Sequence, residues 1–313
     1  MTVLFFATDI HGSEICWKKF INAGKFYGAN VLILGGDITG KAIVPIVHYG
    51  NNTYQAELLE HVTILHGSAE VQDMVKRIRS RGYYPYLTNP DEIKILHENP
   101  ERVNQLFKNE VLRCVEQWLT FAEEKLANTG ITCYVSPGND DMFEIDELIR
   151  AARSVRLAEG EVVALDETHE MISTGWSNPT PWHSFREESE EKLAIRLENM
   201  ASRLKNPAMS VFNIHVPPFE SSLDDAPELT KDFRPKYAGN SLVPVGSRAV
   251  RELIKKYQPL LGLFGHIHEN KAAIRMGKTL CINPGSMYEQ GTLLGALVTL
   301  DRKKITNYIL TTG

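Results

Sequence analysis

Five short apolar runs in this chain each lead into a side chain that can bind a metal ion. The runs cover residues 3–8, 31–34, 131–136, 210–214 and 260–264. The side chains that follow them are Asp9, His11, Asp37, Asn139, His215, His266 and His268. Each run has the length and the β-branched or aromatic content of a buried strand. In layered α/β proteins functional groups gather where the carboxyl ends of neighbouring strands meet, so we expect one cluster.

The number and type of these donors predict a site for two divalent cations. Seven oxygen and nitrogen donors without a thiolate are about what two cations need if one carboxylate bridges them. Asp9 and His11 stand two residues apart, and in extended backbone such residues share a face. His266 and His268 have the same spacing and are the strongest single signal.

Taken alone, Asp9 with His11 is more typical of a helix cap with an incidental surface histidine, and Asn139 is more typical of an ordinary turn. His215 could equally be a core histidine, whereas a pair such as His266 and His268 is seldom structural but only suggestive. The joint occurrence of all the motifs in this order predicts the site.

Residues 35–41 also fit the pattern Gly-x-x-x-x-Gly-Lys of a phosphate-binding loop. Such a loop continues with Ser or Thr and opens a helix, whose N-terminus binds the phosphate. Here Ala42 follows, and Pro45 interrupts the next residues, which are poor helix formers. The sequence therefore predicts no phosphate-binding loop at this point.

Composition narrows the function classes. The 313 residues are 43% hydrophobic and 23% charged, as in an ordinary globular protein, and the formal net charge is −5. That charge gives no general attraction to nucleic acid or to an anionic membrane, so we expect neither as a partner.

No apolar stretch is long enough to span a membrane, and the N-terminal run is too short for a signal peptide. Cys16, Cys133 and Cys281 lie in apolar stretches and, with Cys114, are expected to be free thiols, so we expect a cytoplasmic protein.

The order of the elements predicts one α/β domain over residues 1–313. A strand, an amphipathic helix near Ser13–Tyr27 and a second strand form a β-α-β unit. About a hundred residues then separate Asp37 from Asn139, far more than a crossover needs. We expect residues 41–130 to form an elaborated insertion or cap, with a hairpin around residues 50–52 and helices over residues 69–80 and 100–128. Its role could equally be substrate selection, packing or dimer formation.

The second half of the chain contains further helix and strand signals. We expect helices over residues 143–152, 184–205 and 247–257, and a long polar loop over residues 217–244. Strands are expected near residues 162–165, 170–174, 272–275, 279–282, 294–300 and 304–310. The chain therefore becomes richer in strands toward its C-terminus.

In order, these motifs resemble the pattern of the calcineurin-like metallophosphoesterases. That pattern is Asp-x-His, Gly-Asp, Gly-Asn-His-Asp/Glu, an isolated His, and Gly-His-x-His, and here it covers residues 3 to about 286. The resemblance implies a four-layer α/β/β/α sandwich of two mixed sheets, with residues 41–130 inserted as a helical and hairpin subdomain. It also implies that Asp9, His11 and His268 bind one metal, that Asn139, His215 and His266 bind the other, and that Asp37 bridges them.

One position departs from the family pattern. Asp140 stands where the family usually has a His that assists the leaving group. Asp140 could act as an acid only if burial or Asp141 raised its pKa, which nearby metal charge opposes. We therefore expect weaker action on esters with poor leaving groups, because losing a general acid typically costs about 10²–10⁴-fold. His169 or His183 are possible substitutes.

The resemblance implies a dinuclear-metal-dependent phosphoesterase that acts through a metal-bridging hydroxide. We expect phosphodiesters to be preferred over phosphomonoesters, with a small phosphate ester or nucleotide as substrate. Manganese, iron or zinc suit the histidine, carboxylate and carboxamide ligands better than calcium. Trp176, Trp182 and Phe185 could line a substrate pocket, although core packing is expected for at least one of them. The alternative is a non-catalytic scaffold on the same fold, and the oligomeric state stays open.

Overall fold

The computed structural model describes residues 1–313, which form eighteen strands and seven α-helices. In the first half the strands are β1 (Thr2–Ala7), β2 (Val31–Leu34), β3 (Ile43–Gly50), β4 (Thr53–Leu58), β5 (His61–His66), β6 (Tyr84–Thr88), β7 (Thr132–Val135) and β8 (Arg156–Leu157). In the second half they are β9 (Val162–Ala164), β10 (Glu170–Thr174), β11 (Val211–Ile214), β12 (Asp225–Pro227), β13 (Leu242–Pro244), β14 (Leu261–Leu263), β15 (Ala272–Met276), β16 (Thr279–Asn283), β17 (Leu294–Asp301) and β18 (Lys304–Thr312). The α-helices are α1 (Glu14–Tyr27), α2 (Gly67–Ser80), α3 (Pro90–His97), α4 (Pro100–Leu126), α5 (Glu144–Ala151), α6 (Glu190–Ala201) and α7 (Arg248–Tyr257).

Two six-stranded mixed sheets form the centre of the molecule. The first has the order β18-β17-β1-β2-β7-β8, and the second has the order β15-β16-β14-β11-β10-β9. The central strands β1, β2 and β7 are parallel, as are β10, β11, β14 and β16. The outer strands β17, β15 and β9 run antiparallel to their neighbours. Parallel strands of one sheet end at the same edge, so the loops that follow them lie close together.

The sheets pack face to face with helices outside, which confirms the expected α/β/β/α sandwich. Strand residues alternate between the two faces of a sheet, so Leu4 and Phe6 face the second sheet while Phe5 faces the helices. Met171 and Leu263 complete the apolar layer between the sheets. Helices α1, α4 and α5 cover the outer face of the first sheet, and α6 and α7 cover that of the second.

The residues between β2 and β7 contain a separate four-stranded sheet with the order β5-β4-β3-β6. Helix α2 packs on one face of this sheet, where Ile46 and Leu65 contact Met74 and Ile78 in a small core. Helix α4 does not belong to that core, because its buried residues pack against α1 and the first main sheet. The segment therefore combines a small sheet unit with one helix of the outer layer.

Most predicted elements are found, and the differences have local causes. Strand β6 was not predicted because it contains Pro85, which an edge strand tolerates since no neighbour needs its missing N–H. The helix expected over residues 184–205 is shorter, because Ser189 caps it just before its first residue. The long polar loop contains the short hairpin β12-β13.

Strand β3 follows the Gly35–Lys41 segment, so the prediction that this is no phosphate-binding loop is confirmed. None of the helices combines the length and apolarity needed to cross a membrane.

Candidate metal centre

All seven predicted ligands lie at the carboxyl ends of the central strands of the two main sheets. Asp9 and His11 follow β1, Asp37 follows β2 and Asn139 follows β7 in the first sheet. His215 follows β11, and His266 and His268 follow β14 in the second. The two sheets stack with these edges on the same side, so the predicted gathering of the side chains is found.

The first group of donors consists of Asp9, His11 and His268, whose ligand atoms lie within 4.8 Å of one another. The Nε2 atoms of His11 and His268 are 3.0 Å apart, and Nε2 of His268 is 3.3 Å from Oδ1 of Asp9. Two nitrogens that bind one cation at right angles, each at about 2.1 Å, lie about 3.0 Å apart. The spacing of the two imidazoles therefore fits a shared cation.

The second group consists of Asp37, His215 and His266, and the amide of Asn139 extends it. Nε2 of His215 is 3.4 Å from Oδ2 of Asp37, and Nδ1 of His266 is 2.8 Å from Oδ1 of Asn139. Oδ2 of Asp37 is also 3.6 Å from Nε2 of His11, which belongs to the first group. The carboxylate of Asp37 thus lies between the two groups, as a bridging ligand would.

The hydrogen bonds of His215 leave one ring nitrogen available to a cation. Its Nδ1 lies 3.0 Å from the carbonyl oxygen of Gly35. Because a carbonyl oxygen can only accept a hydrogen bond, Nδ1 carries the proton. Its Nε2 is fully buried, faces the two carboxylates and has no hydrogen-bond partner. A buried ring nitrogen without a partner is costly, and metal-binding histidines typically donate a hydrogen bond from the other ring nitrogen, which fixes the ring. The residues present fit divalent cation binding.

Backbone strain is concentrated in this centre. Asp9, His11, Asp37 and His266 have φ angles of +52°, +37°, +48° and +67°. Residues other than glycine rarely adopt this left-handed region, and each such residue costs of the order of 1–3 kcal/mol. Four of the seven predicted ligands share this conformation, so the fold maintains strain at the strand ends in order to direct these side chains inward.

The glycines of the motifs permit close approach. A Cβ atom on Gly138 would lie 2.1 Å from Oδ1 of Asp37, and one on Gly36 would lie 2.4 Å from Nδ1 of His215. Both distances are far below van der Waals contact, so only glycine fits beside these side chains. The glycine in each motif therefore belongs to the packing of the centre.

Further hydrogen bonds orient the ligands. The backbone N–H of His266 donates to the carboxylate of Asp9 at 3.0 Å, and that of Asp140 donates to Oδ1 of Asp37 at 3.0 Å. The amide nitrogen of Asn139 donates to Oγ of Ser184 at 2.7 Å, which turns the amide oxygen toward His266. Ser184 was not predicted, and its position 45 residues after Asn139 gives no local signal.

The charges of the centre are strongly coupled. Burial opposes ionisation of Asp9 and Asp37, but the neighbouring His215 holds the pKa of each carboxyl below its ordinary value. Burial also acts against a charge on His215, but Asp37 and Asp9 raise its pKa to about 10. Burial dominates at His11 and His266 and lowers their pKa values to about 3 and about 4. In the metal-free fold the centre therefore holds two anionic carboxylates beside a protonated His215, with neutral imidazoles at His11 and His266.

Asp140 and Asp141 have different surroundings. Burial, followed by the charge of Asp37, raises the pKa of Asp140 to about 6, while Lys41 opposes the shift. Nζ of Lys41 lies 3.1 Å from Oδ2 of Asp140, an ion pair that was not predicted. The carboxylate of Asp141 points away from the centre and accepts hydrogen bonds from the backbone N–H groups of Ile38, Thr39 and Gly138. Asp141 therefore supports the loop after β2 and contributes little to the shift at Asp140.

The other aromatic and histidine candidates are distributed over the molecule. His169 hydrogen-bonds to Asp166, which contacts Thr2 at the start of β1, so His169 lies at the end of the sheet opposite the metal centre. The prediction that His169 could act as a substitute acid is therefore wrong, because the length of β1 separates His169 from Asp9. His183 precedes Ser184 and is near the centre.

Two of the three aromatic candidates are exposed near the same loop. Trp182 and Phe185 flank Ser184 and are 65% and 50% exposed. Trp176 packs against the core of the second sheet and stacks with Arg196 at 4.1 Å. On the opposite side, the ring of Tyr288 lies 4.8 Å from that of His11 and forms part of the wall of the centre.

Comparison with known proteins supports the fold assignment. No family model matches the chain. The uncharacterized protein MJ1162 of Methanocaldococcus jannaschii is 32% identical over 152 residues, which are 47% of this chain and 61% of that protein. The chain thus matches about three fifths of the length of this curated relative.

Two solved structures align over almost the whole chain. One is 15% identical and covers 98% of both chains with a TM-score of 0.56. The other, TT1561 of Thermus thermophilus, is 13% identical and covers 100% of this chain and 98% of its own, with a TM-score of 0.53. At these identities the likeness concerns the fold. Together with the two stacked sheets, it shows that the chain has the α/β/β/α sandwich fold of the metallophosphatases.

Proposed function

We propose that this protein hydrolyses phosphoric esters with the help of two divalent cations, and that it prefers diesters to monoesters. The observation that carries the proposal is the meeting of seven oxygen and nitrogen donors in two adjacent groups, with Asp37 between them. When bound, two cations would polarise a phosphate ester and lower the pKa of a water molecule shared between them. We assign Asp9, His11 and His268 to one cation, Asn139, His215 and His266 to the other, and Asp37 to both.

The residues of the chain prepare this reaction in three ways. The two carboxylates supply negative charge where the cations bind, and the N–H groups of His266 and Asp140 fix their orientation. Neutral imidazoles at His11 and His266 keep lone pairs available, because burial disfavours their protonation. The strained backbone at four ligands holds the donors in place before the substrate arrives, which reduces the reorganisation needed for catalysis.

Two charged residues at the rim of the centre can act on the substrate and its leaving group. Lys41 and Asp140 form an ion pair where the family usually places a histidine. We assign to Lys41 the binding of a phosphate oxygen, since its side chain is half exposed and its ammonium group pairs with Asp140 beside the centre. Asp140 is a weaker candidate for a general acid, because an ion pair with Lys41 favours its carboxylate form. This arrangement supports a preference for esters with good leaving groups.

The donor set favours manganese, iron or zinc as the bound metal. We propose a small phosphate ester or nucleotide as the substrate, because the exposed rings of Trp182 and Phe185 lie beside Ser184 and could contact a base.

A cytoplasmic location agrees with the four free cysteines. We also propose residues 41–130 as an insertion in a single domain, since their sheet has a small core of its own.

The test is a panel of aryl and nucleotide phosphate mono- and diesters, each assayed with manganese, zinc, nickel and magnesium. We expect metal-dependent turnover, with bis(p-nitrophenyl) phosphate cleaved faster than p-nitrophenyl phosphate. The Asp37→Asn variant should lose this turnover, and the Asp301→Asn variant, altered at an exposed carboxylate, should keep it. Equal turnover in the Asp37→Asn variant would exclude the proposed centre as its source.

A non-catalytic scaffold is the second candidate, and Asp140 in place of the usual histidine is the observation that favours it. The two functions differ in one result. A scaffold would bind two equivalents of metal with the same ligands and cleave none of the esters, whereas the proposed hydrolase binds the metal and turns over at least the activated diesters.

A further inference from the structure

A cavity lies beside the metal centre, between α1, α2, β6 and α4. Its volume is about 220 Å³, and its wall includes Gly12, Trp17, Tyr83, Trp118 and Phe121. None of the seven predicted metal ligands lines it. Protein interiors are close-packed and leave few voids of this size, so a half-enclosed space here requires an explanation.

Aromatic side chains form one side of this cavity. The rings of Trp17 and Trp118 stack at 5.2 Å between centroids with an interplanar angle of 10°, and both residues are buried. The indole N–H of Trp17 already donates to the carbonyl oxygen of Trp118, so that donor is not free to bind a ligand. Tyr83 and Phe121 continue the wall and are only partly buried. Such a surface favours a flat apolar ring.

Cationic side chains also line this cavity. The cavity is lined by Lys18, Arg79 and Arg113. Lys18 pairs with Glu14 and Arg113 pairs with Glu110, so both of these charges are neutralised within the protein. Arg79 is partly buried in the last turn of α2, and its guanidinium makes neither an ion pair nor a hydrogen bond. One positive charge therefore remains without a partner beside an aromatic wall, a combination that fits a ligand with one negative charge.

We propose that this cavity binds a small aromatic monoanion, with its ring against Trp118 and Phe121 and its anionic group on Arg79. The volume is below the roughly 300–1,000 Å³ of drug-sized ligand sites, which limits the ligand to one or two rings. Arg79 can bind a carboxylate with two parallel hydrogen bonds. Gly12 and the turn at Gly82 separate the cavity from His11, so this ligand would bind apart from the metal centre and not as its substrate.

The test measures binding of 2-naphthoate to the full-length, manganese-loaded protein by isothermal titration calorimetry. This probe carries one charge and has no ester that the protein could cleave. We expect saturable binding of one molecule, weakened at least tenfold by Arg79→Gln and unchanged by Arg77→Gln, which alters an exposed arginine of the same helix turn. Arg79→Lys should bind with intermediate affinity. The neutral 2-naphthamide should bind at least tenfold more weakly than 2-naphthoate.

Further arms distinguish the ligand class and the location. Comparing benzoate with phenylphosphonate shows whether a carboxylate or a phosphonate is preferred on Arg79. The Asp37→Asn variant should bind 2-naphthoate like the unaltered protein, because the cavity contains no metal ligand. Loss of binding in Asp37→Asn with retention in Arg79→Gln would place the probe at the metal centre and overturn the proposal. Absence of saturable binding up to 10 mM probe would overturn it as well, and neither result would affect the proposed hydrolase.

Discussion

The ammonium group of Lys41 lies 3.1 Å from the carboxylate of Asp140, at the rim of the metal centre. The two residues come from loops at the ends of β2 and β7, which are neighbours in the first sheet. The position that usually carries a leaving-group histidine therefore carries an ion pair, and this difference should determine which esters react.

Replacing Asp140 by histidine should raise the rate on phenyl phosphate esters. A histidine at this position would supply a general acid, whose contribution is typically about 10²–10⁴-fold, so we expect at least a roughly tenfold increase in kcat. The Asp140→Asn variant is the matched control, because it removes the charge without adding an acid. Equal rates for the histidine and asparagine variants would show that position 140 is remote from the leaving group.

Replacing Lys41 by glutamine should weaken binding of phosphate. Loss of one charge-assisted contact typically costs about 1.5–3 kcal/mol, so we expect the inhibition constant of inorganic phosphate to rise roughly tenfold or more. The Lys303→Gln variant, which alters an exposed lysine in the turn between β17 and β18, controls for net charge. A rise of the same size in both variants would contradict a local role for Lys41.

Replacing Asp37 by asparagine should weaken both metal sites together. An amide lacks the charge and the second anionic oxygen that a bridging ligand needs, so most of the activity should be lost. Metal analysis after dialysis should find well under two manganese ions per chain. Two ions bound with unaltered affinity would exclude Asp37 as the bridge.

Replacing Ser184 by alanine tests the hydrogen bond that orients Asn139. Loss of a hydrogen bond that orients a metal ligand typically lowers metal affinity about 10–100-fold, so the Ser184→Ala variant should require more manganese for half-maximal activity. The unfolding temperature of the metal-free protein should change little, since Ser184 is only partly buried. The control is Ser202→Ala, at an exposed serine after α6. An unaltered metal requirement would show that Ser184 does not support metal binding.

The pKa of His215 predicts how pH affects metal binding and stability. Its pKa is raised to about 10 in the metal-free fold, so it carries a proton at pH 7.5 that must leave when a cation binds. Titration of manganese at pH 7.5 should therefore release about one proton, seen as a binding enthalpy that varies with the ionisation enthalpy of the buffer. A binding enthalpy that is the same in PIPES and Tris would contradict this assignment.

The raised pKa of His215 should also affect the stability of the metal-free protein. A group whose pKa is raised on folding contributes stability that is complete below its unfolded value of about 6.5 and is lost as the pH rises through the folded value. The free energy of unfolding should consequently fall between pH 6.5 and pH 10. The depressed pKa values of Asp9 and Asp37 act in the acidic range and do not oppose this trend. The His215→Asn variant should show a flatter dependence.

The sequence by itself determined the strands of the two main sheets other than β8, the outer helices and the seven candidate ligands. Each ligand directly follows an apolar run, and local periodicity reports which residues are buried and where a strand ends. A four-layer sandwich and a gathering of Asp37 with His215 and His268 follow from that pattern together with the resemblance. Strand β6 was missed because Pro85 is a negative signal for a strand, and only the packing on β3 makes it an edge strand.

Only the tertiary structure decided which residues complete the centre and its surroundings. The contacts of Ser184 with Asn139 and of Lys41 with Asp140 join loops that are separated by 45 and 99 positions in the chain. The unpaired Arg79 and the cavity beside Trp118 likewise depend on how α2 and α4 pack against α1. Hydrophobic periodicity records the burial of each residue but not the identity of its neighbour, so these pairings are set by the stacking of sheets and helices.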